Sequence, residues 1–353
     1  ERILAEKEMD ISAEQLAELQ RITKQKGETE EDTDDNDKCC WRIRQLVQSD
    51  GIRALVRLAE GASDNTKELI SMALRQIATE PSVRGSIIQQ GGYKLCLNFV
   101  SETKSSLKCI RNATWGIAKT LITTNPGVLT ASQRMGCISA LLRLCNDHRA
   151  NDLTHFEVLM GLTNIASFSD ETKARIAFEN GIRTLEYMQF SDHPLVRRAS
   201  TECLTNMMPH PAMIEHLSNP EKLKLWCAFS EDFETDLLTA CAAAGTLAMA
   251  AGITDESLQG AIEQSRICSV FIELLKSGEL QLVHRAALGT YYLLNIPEMA
   301  PKFTTLGAKQ ILLKLAKKKN PDWSQVAQIS HDAVDILIRS KNGVPEVKKE
   351  LTD

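Results

Sequence analysis

Apolar residues recur at three- and four-residue spacing through nearly every segment of the chain, and no run alternates with the period of two expected of a half-buried strand. The helix-like stretches are broken by short turn signals: Gly61–Ala62–Ser63, Gly91–Gly92, Asn125–Pro126–Gly127, His193–Pro194, Pro209–His210–Pro211, Pro297 and Asn320–Pro321. The pattern predicts an all-α chain. Composition agrees: Gly and Pro total 28 of 353 residues, aromatics are 5%, and a hydrophobic fraction of 43% is enough to fill a continuous core.

The predicted helices repeat. Six cores align in one register: MALRQIA (72–78), WGIAKTL (115–121), MGLTNIA (160–166), ECLTNMM (202–208), AGTLAMA (244–250) and YYLLNIP (291–297). Their fifth residues, Gln76, Lys119, Asn164, Asn206, Ala248 and Asn295, follow one another at intervals of 43, 45, 42, 42 and 47, and a weaker copy ends at Ile338. A helical period of ~40–47 residues is that of armadillo and HEAT repeats. Glycines at the start of the preceding helix (Gly51, Gly91, Gly181, Gly307) favour the armadillo type, because a tight inter-helix turn often needs a left-handed residue. The expected fold is an armadillo-repeat, right-handed superhelical solenoid, an α-α superhelix.

Residues four apart share one side of a helix. The register therefore predicts a polar row on successive third helices: Arg198, Glu202 and Asn206 in one copy, Arg111, Trp115 and Lys119 in another. Phe156, Met160 and Asn164 occupy the row in the third copy, and Ala287, Tyr291 and Asn295 in the sixth, with Gln76 at the fifth position of the first. Third helices line the concave side of armadillo arrays, and an Asn amide can both donate to and accept from a peptide backbone. The row is thus the expected binding groove for an extended or partly unfolded segment.

Charge is unevenly placed. Residues 1–38 hold 13 acids and 6 bases, so the remainder of this −5 chain is nearly neutral. The expected organisation is an amphipathic N-terminal helix within 1–26, an acidic flexible linker over 27–38 and the repeat array over 39–353. A pI near 5.9 argues against nucleic acid as partner. The chain starts at Glu1 rather than Met, so flanking sequence is expected to be missing; no apolar signal-peptide core is visible. The uncharged run Leu237 to Thr254 is read as a buried helix, not a membrane span, since Ala, Gly and Thr are only weakly apolar. Ten Cys without a CxxC lie mostly in apolar helical patterns, as in a reducing cytoplasm. No phosphate-binding glycine loop, nucleophile elbow or metal-ligand spacing is found, so no enzyme activity, catalytic residue, cofactor or metal is expected.

Seven stretches in order, TKELISMAL (66–74), RGSIIQQGGYKLCL (84–97), TNPGVLTASQR (124–134), GLTNIASFSDETKARI (161–176), RRASTECLTNMM (197–208), AAAGTLAMAAG (242–252) and VHRAALGTYYLLN (283–295), resemble the UCS family of myosin chaperones, the Unc-forty-five group. The resemblance implies a cytoplasmic, non-enzymatic factor that binds the myosin motor domain in an armadillo groove, promotes its folding and prevents its aggregation. It also implies that the ninety-kilodalton heat-shock chaperone would be met through an N-terminal domain outside this chain. The family's Leu-x-Asn helices match Leu162–Asn164 and Leu204–Asn206. The segment after the Asn-Pro turn departs from the family pattern, being Val128 to Ser132 (VLTAS), and Lys119 stands where the family has a smaller residue. The alternative reading is a peptide or cargo adaptor, or a scaffold, without chaperone activity. Against an importer of basic cargo, Trp115 is followed one turn on by Lys119, which is expected to repel a basic peptide.

Overall fold

A computed structural model of the chain describes residues 30–102 and 104–341, with side chains from residue 37 to 340. Among them all regular structure is helical, and the chain divides into two units that meet at Ile165 and Ala166. The first unit contains α1 (Glu30–Gln48), α2 (Gly51–Leu58), α3 (Asp64–Ile77), α4 (Arg84–Gln89), α5 (Gly92–Ser101), α6 (Leu107–Ile122) and α7 (Ala131–Cys145), and ends within α8 (Asp152–Ala166). The second contains α9 (Asp170–Phe178), α10 (Gly181–Met188), α11 (Pro194–Asn206), α12 (Pro211–Ser218), α13 (Pro220–Glu231) and α14 (Leu237–Ala251). It continues through α15 (Glu256–Gln264), α16 (Ile267–Lys276), α17 (Leu280–Leu293), α18 (Met299–Thr305), α19 (Ala308–Ala316) and α20 (Ser324–Lys341).

A repeat comprises two shorter helices and a longer third one. The third helices are α3, α6 and α8 in the first unit and α11, α14, α17 and α20 in the second. In each unit a second helix packs on its own third helix, as α5 does on α6 and α16 on α17. Third helices also pack on the next third helix, as in the pairs α3–α6, α11–α14, α14–α17 and α17–α20. The side chains that tie repeats together reach one repeat and stop. Lys67 pairs with Glu102 at 2.8 Å, Arg111 with Asp147 at 2.6 Å and Arg197 with Asp236 at 3.0 Å, each joining the start of a third helix to the loop before the next. This nearest-neighbour pattern is that of a quasi-one-dimensional array.

The glycine expectation needs refining. The left-handed residues at the starts of α2, α5, α10 and α19 are Asp50 (φ 57°), Gly91 (φ 88°), Asn180 (φ 60°) and Gly307 (φ 76°). In two of the four turns, Asp or Asn takes the strained backbone, as their short polar side chains allow. The glycine beside them answers a different need. A Cβ on Gly51 would lie 2.6 Å from the Leu46 carbonyl oxygen, and one on Gly181 would lie 2.6 Å from that of Ile176. The turn thus asks for a left-handed residue followed by a small one.

Residues 1–29, with the expected N-terminal helix, lie outside the described residues. The acidic run is helical from Glu30 onward rather than an irregular linker; negative charge near a helix start is favoured by the backbone dipole. The uncharged run forms α14, of 15 residues, in which eleven alanine, leucine, threonine and cysteine positions are buried. No described helix is long and apolar enough to cross a membrane. Asp236, in the SEDFETD loop, caps α14 by accepting from the Thr239 amide at 3.3 Å. Cys96, Cys137, Cys203, Cys241 and Cys268 are buried.

Two outcomes follow from these contacts. Gly181→Ala is expected to cost about 1–3 kcal/mol through overpacking. Gly85→Ala, in open space within α4, is expected to be neutral or stabilising by up to ~1 kcal/mol; thermal melts of the two variants check the contrast. The second concerns acid. Hydrogen bonds from Arg149 first, and then Arg111, hold the Asp147 carboxyl below its ordinary range, and a bond from Lys67 does the same for Glu102. Their folded pKa values lie below the unfolded ones, so their stabilisation is complete above about pH 4 and is lost as pH falls through the folded values. Melting temperature should therefore drop below about pH 4, and less steeply in Asp147→Asn.

Candidate functional site

In the first unit the third-helix face is built around one carboxylate. Glu157, on α8, is only 5% exposed, yet it accepts from the Lys119 ammonium at 2.7 Å and from the Trp115 indole N–H, both on α6. The Arg75 guanidinium of α3 lies 4.5 Å over the Trp115 ring and donates to Asn112 Oδ1 at 3.0 Å. Lys119 Nζ sits 5.3 Å from the same ring. Arg84 is buried nearby, donating to the Ala78 carbonyl and to Thr123 Oγ1, each at 2.9 Å. Burial pulls its pKa down to about 10, against the opposing pull of Glu157.

These contacts revise three expectations for this unit. Lys119 is a buried, compensated cation, so it does not present a charge that would repel a basic ligand. Asn164 uses its amide donor inside the repeat: Nδ2 donates to the carbonyls of Leu121 at 2.8 Å and Ile122 at 3.0 Å, at the end of α6, where a helix otherwise leaves acceptors unsatisfied. Phe156 and Met160 are buried, so the row there is largely core, not polar edge. Gln76 is exposed, Trp115 half-buried, and Arg111 serves the rung to Asp147. Asn112 is buried.

In the second unit the row is closer to its expected form. Arg198 Nε donates to Glu202 Oε1 at 2.8 Å, one turn along α11, and Asn206 is half-buried on the same side. Val196, Ala199, Cys203, Leu204, Met207 and Met208 form the buried arc, with Leu195 at its margin. Thr205 meets Thr246 of α14 at 2.9 Å. On α14 the register shifts by one: Ala248 is buried, and the solvent-facing positions are Gly245 and Met249. On α17, Tyr291 packs edge-on to Tyr292, ring centroids 5.7 Å apart, and burial raises its pKa. Asn295 is exposed and donates to the Tyr291 carbonyl at 3.0 Å, closing its own helix end.

Sequence reasoning missed Glu157, Arg75, Gly245, Met249 and Arg285. A signal for Glu157 exists: it is the one acid inside the apolar stretch FEVLMGL, and it stands 38 and 42 residues after Lys119 and Trp115, one repeat away. The arrangement offers cations, an aromatic wall, amides and hydroxyls for holding a polypeptide. Among the described residues, no group of three or more His, Cys, Asp or Glu is placed to hold a metal ion.

No family model matches the chain. It is 28% identical over 334 residues to Protein unc-45 homolog B of Xenopus laevis, covering 91% of this chain and 35% of that protein. Among solved structures, it is similar to UNC-45 from Drosophila melanogaster, with a TM-score of 0.80 and 27% identity over 89% of this chain and 40% of that one. It is also similar to the myosin chaperone UNC-45 from C. elegans, solved in complex with a Hsp90 peptide. That match has a TM-score of 0.73 and 26% identity over 86% of this chain and 33% of the other. The fold is therefore the armadillo-like helical array of these proteins. The chain spans about a third of the length of the curated relatives it matches.

Removing the carboxylate tests the first-unit cluster. Glu157→Gln leaves Lys119 buried without a counter-charge and should cost about 3–5 kcal/mol. Pairing it with Lys119→Met should restore most of the loss, and denaturant titration of the single and double variants measures both.

Proposed function

We propose that this chain is the client-binding module of a non-enzymatic myosin chaperone that works in the cytoplasm. It holds an exposed segment of the myosin motor domain against its third-helix face, so that the motor folds instead of aggregating. The observation that carries this reading is the joint match, in sequence and fold, to UNC-45 proteins over about nine-tenths of the chain. The face of the second unit supports it, because it combines the polar row Arg198–Glu202–Asn206 with the aromatic pair Tyr291–Tyr292 and the exposed Met249. An extended client segment has unpaired backbone groups and alternating side chains; polar groups meet the first, and apolar and aromatic surface meets the second. In the first unit the buried ion pair and stacked Arg75 hold neighbouring third helices in one geometry, so the surface is formed before a client arrives. The ninety-kilodalton heat-shock chaperone is the further partner that this reading implies, beyond the segment described.

Light scattering of a heat-stressed myosin motor domain checks the proposal. An equimolar amount of the chain should suppress aggregation, and no suppression at excess would refute it. Asn206→Tyr should weaken motor binding severalfold while leaving the melting temperature of the array within a few degrees, about the span of 1 kcal/mol for a domain of this size.

A further inference from the structure

The middle of the second unit's third-helix face holds a cation that lacks a counter-ion. α14 carries no charge in its 15 residues. Its solvent-facing side shows Leu238, Gly245 and Met249, spaced by seven and four residues along one stripe. Arg285, from the neighbouring α17, lies across that stripe at its glycine: a Cβ on Gly245 would be 3.4 Å from Nε and 3.6 Å from Cζ of Arg285. Only the absence of a side chain at 245 lets the guanidinium come so near the α14 backbone.

This closeness strips water from one side of the group. Nη1 is shielded from solvent and meets no acceptor. Other arginines of this unit are satisfied by carboxylates: Arg197 by Asp236 at 3.0 Å, Arg198 by Glu202 at 2.8 Å and Arg266 by Glu231 at 2.6 Å. Among the described residues, no carboxylate stands within ion-pair distance of Arg285. Its polar neighbour is the thiol of Cys241, one turn before Gly245, which accepts a hydrogen bond from the guanidinium and lies within electrostatic reach of Arg198. Glu279, at the start of α17, is exposed. A partly desolvated guanidinium with an empty donor is costly in isolation and gains most from a planar, bidentate acceptor.

We propose that Arg285, seated over Gly245, is a carboxylate-recognition contact for an acidic side chain in an extended peptide segment. A neighbouring apolar residue of that segment rests on Met249, which is 38% exposed one turn further along α14. This rests on the reading of the third-helix face as the client surface, and adds the chemistry by which a segment is chosen. A carboxylate is the acceptor best suited to the solvent-reached side of this half-buried guanidinium; a glutamine side chain offers one oxygen and no charge.

The test uses two fluorescein-labelled peptides, identical and apolar-flanked except for a central Glu or Gln, titrated with the full chain and read by anisotropy. The Glu peptide should bind about tenfold more tightly, as for a charge-assisted pair. The preference should vanish in Arg285→Gln and persist in part in Arg285→Lys. Gly245→Ala, which keeps the charge but fills the floor, should also reduce it. Equal binding of both peptides to the unaltered chain, or an undiminished preference in Arg285→Gln, would overturn the assignment. The myosin aggregation assay separates the two readings. Protection without a Glu preference refutes only the arginine contact; a Glu preference without protection refutes only the chaperone role.

Discussion

A third helix in this protein buries its apolar face mainly against the third helix one repeat away and the helix that precedes it. That constraint governs the rest of each unit. It demands that the loops return the chain to the same register every 42–47 residues, so the turns must be tight and nearly identical. The device is a left-handed residue followed by a small one, as in Asp50–Gly51 and Asn180–Gly181, where a larger second residue would collide with the carbonyl five positions before it. It also explains the cation–carboxylate rungs, Lys67–Glu102, Arg111–Asp147 and Arg197–Asp236. Each lies at the start of a third helix and pins the entry of the next.

Glu157 shows how the same constraint creates a costly interior. Packing α8 against α6 brings a carboxylate, an ammonium and an indole N–H out of water together. Such a group is tolerable only because every member is satisfied, and it becomes a liability if one is lost. The second unit solves its packing differently. There α14 is made of small, uncharged residues, so its neighbours can approach closely; Arg285 lies over Gly245 and Tyr292 over Gly252, just past the helix end. Small residues on one helix thus place a cation and an aromatic ring of the next helix on the exposed face. The functional surface of that unit is a consequence of how its core is packed.

Much of the fold was legible in the chain. Helical periodicity, the punctuation by Gly and Pro and the 42–47-residue repeat all arise from local chemistry, and local chemistry is written in order along the sequence. The buried arc on α11 obeys the same rule, because burial there repeats every three to four residues. The candidate surface was less legible. Ala248 was aligned with Asn206 and Asn295, yet α14 is rotated so that Gly245 and Met249 face solvent; a one-position slip is invisible in a helix that is apolar on every side. The glycine signal was sound in place but mistaken in cause at Gly51 and Gly181, since steric room and backbone handedness leave the same letter in the sequence.

By itself, then, the sequence determined that the chain is helical and that its helices recur every 42–47 residues. It did not determine what those polar groups do. Lys119 and Asn164 looked like groove residues, but one neutralises Glu157 and the other caps the end of α6. Arg285 carried no signal along the chain, yet its Nη1 is shielded from solvent with no acceptor. The reason is physical. Periodicity reports the side of a helix on which a residue lies, whereas charge compensation and desolvation depend on atoms that arrive from another helix some forty residues away. Only the packing of one repeat on the next brings those atoms together.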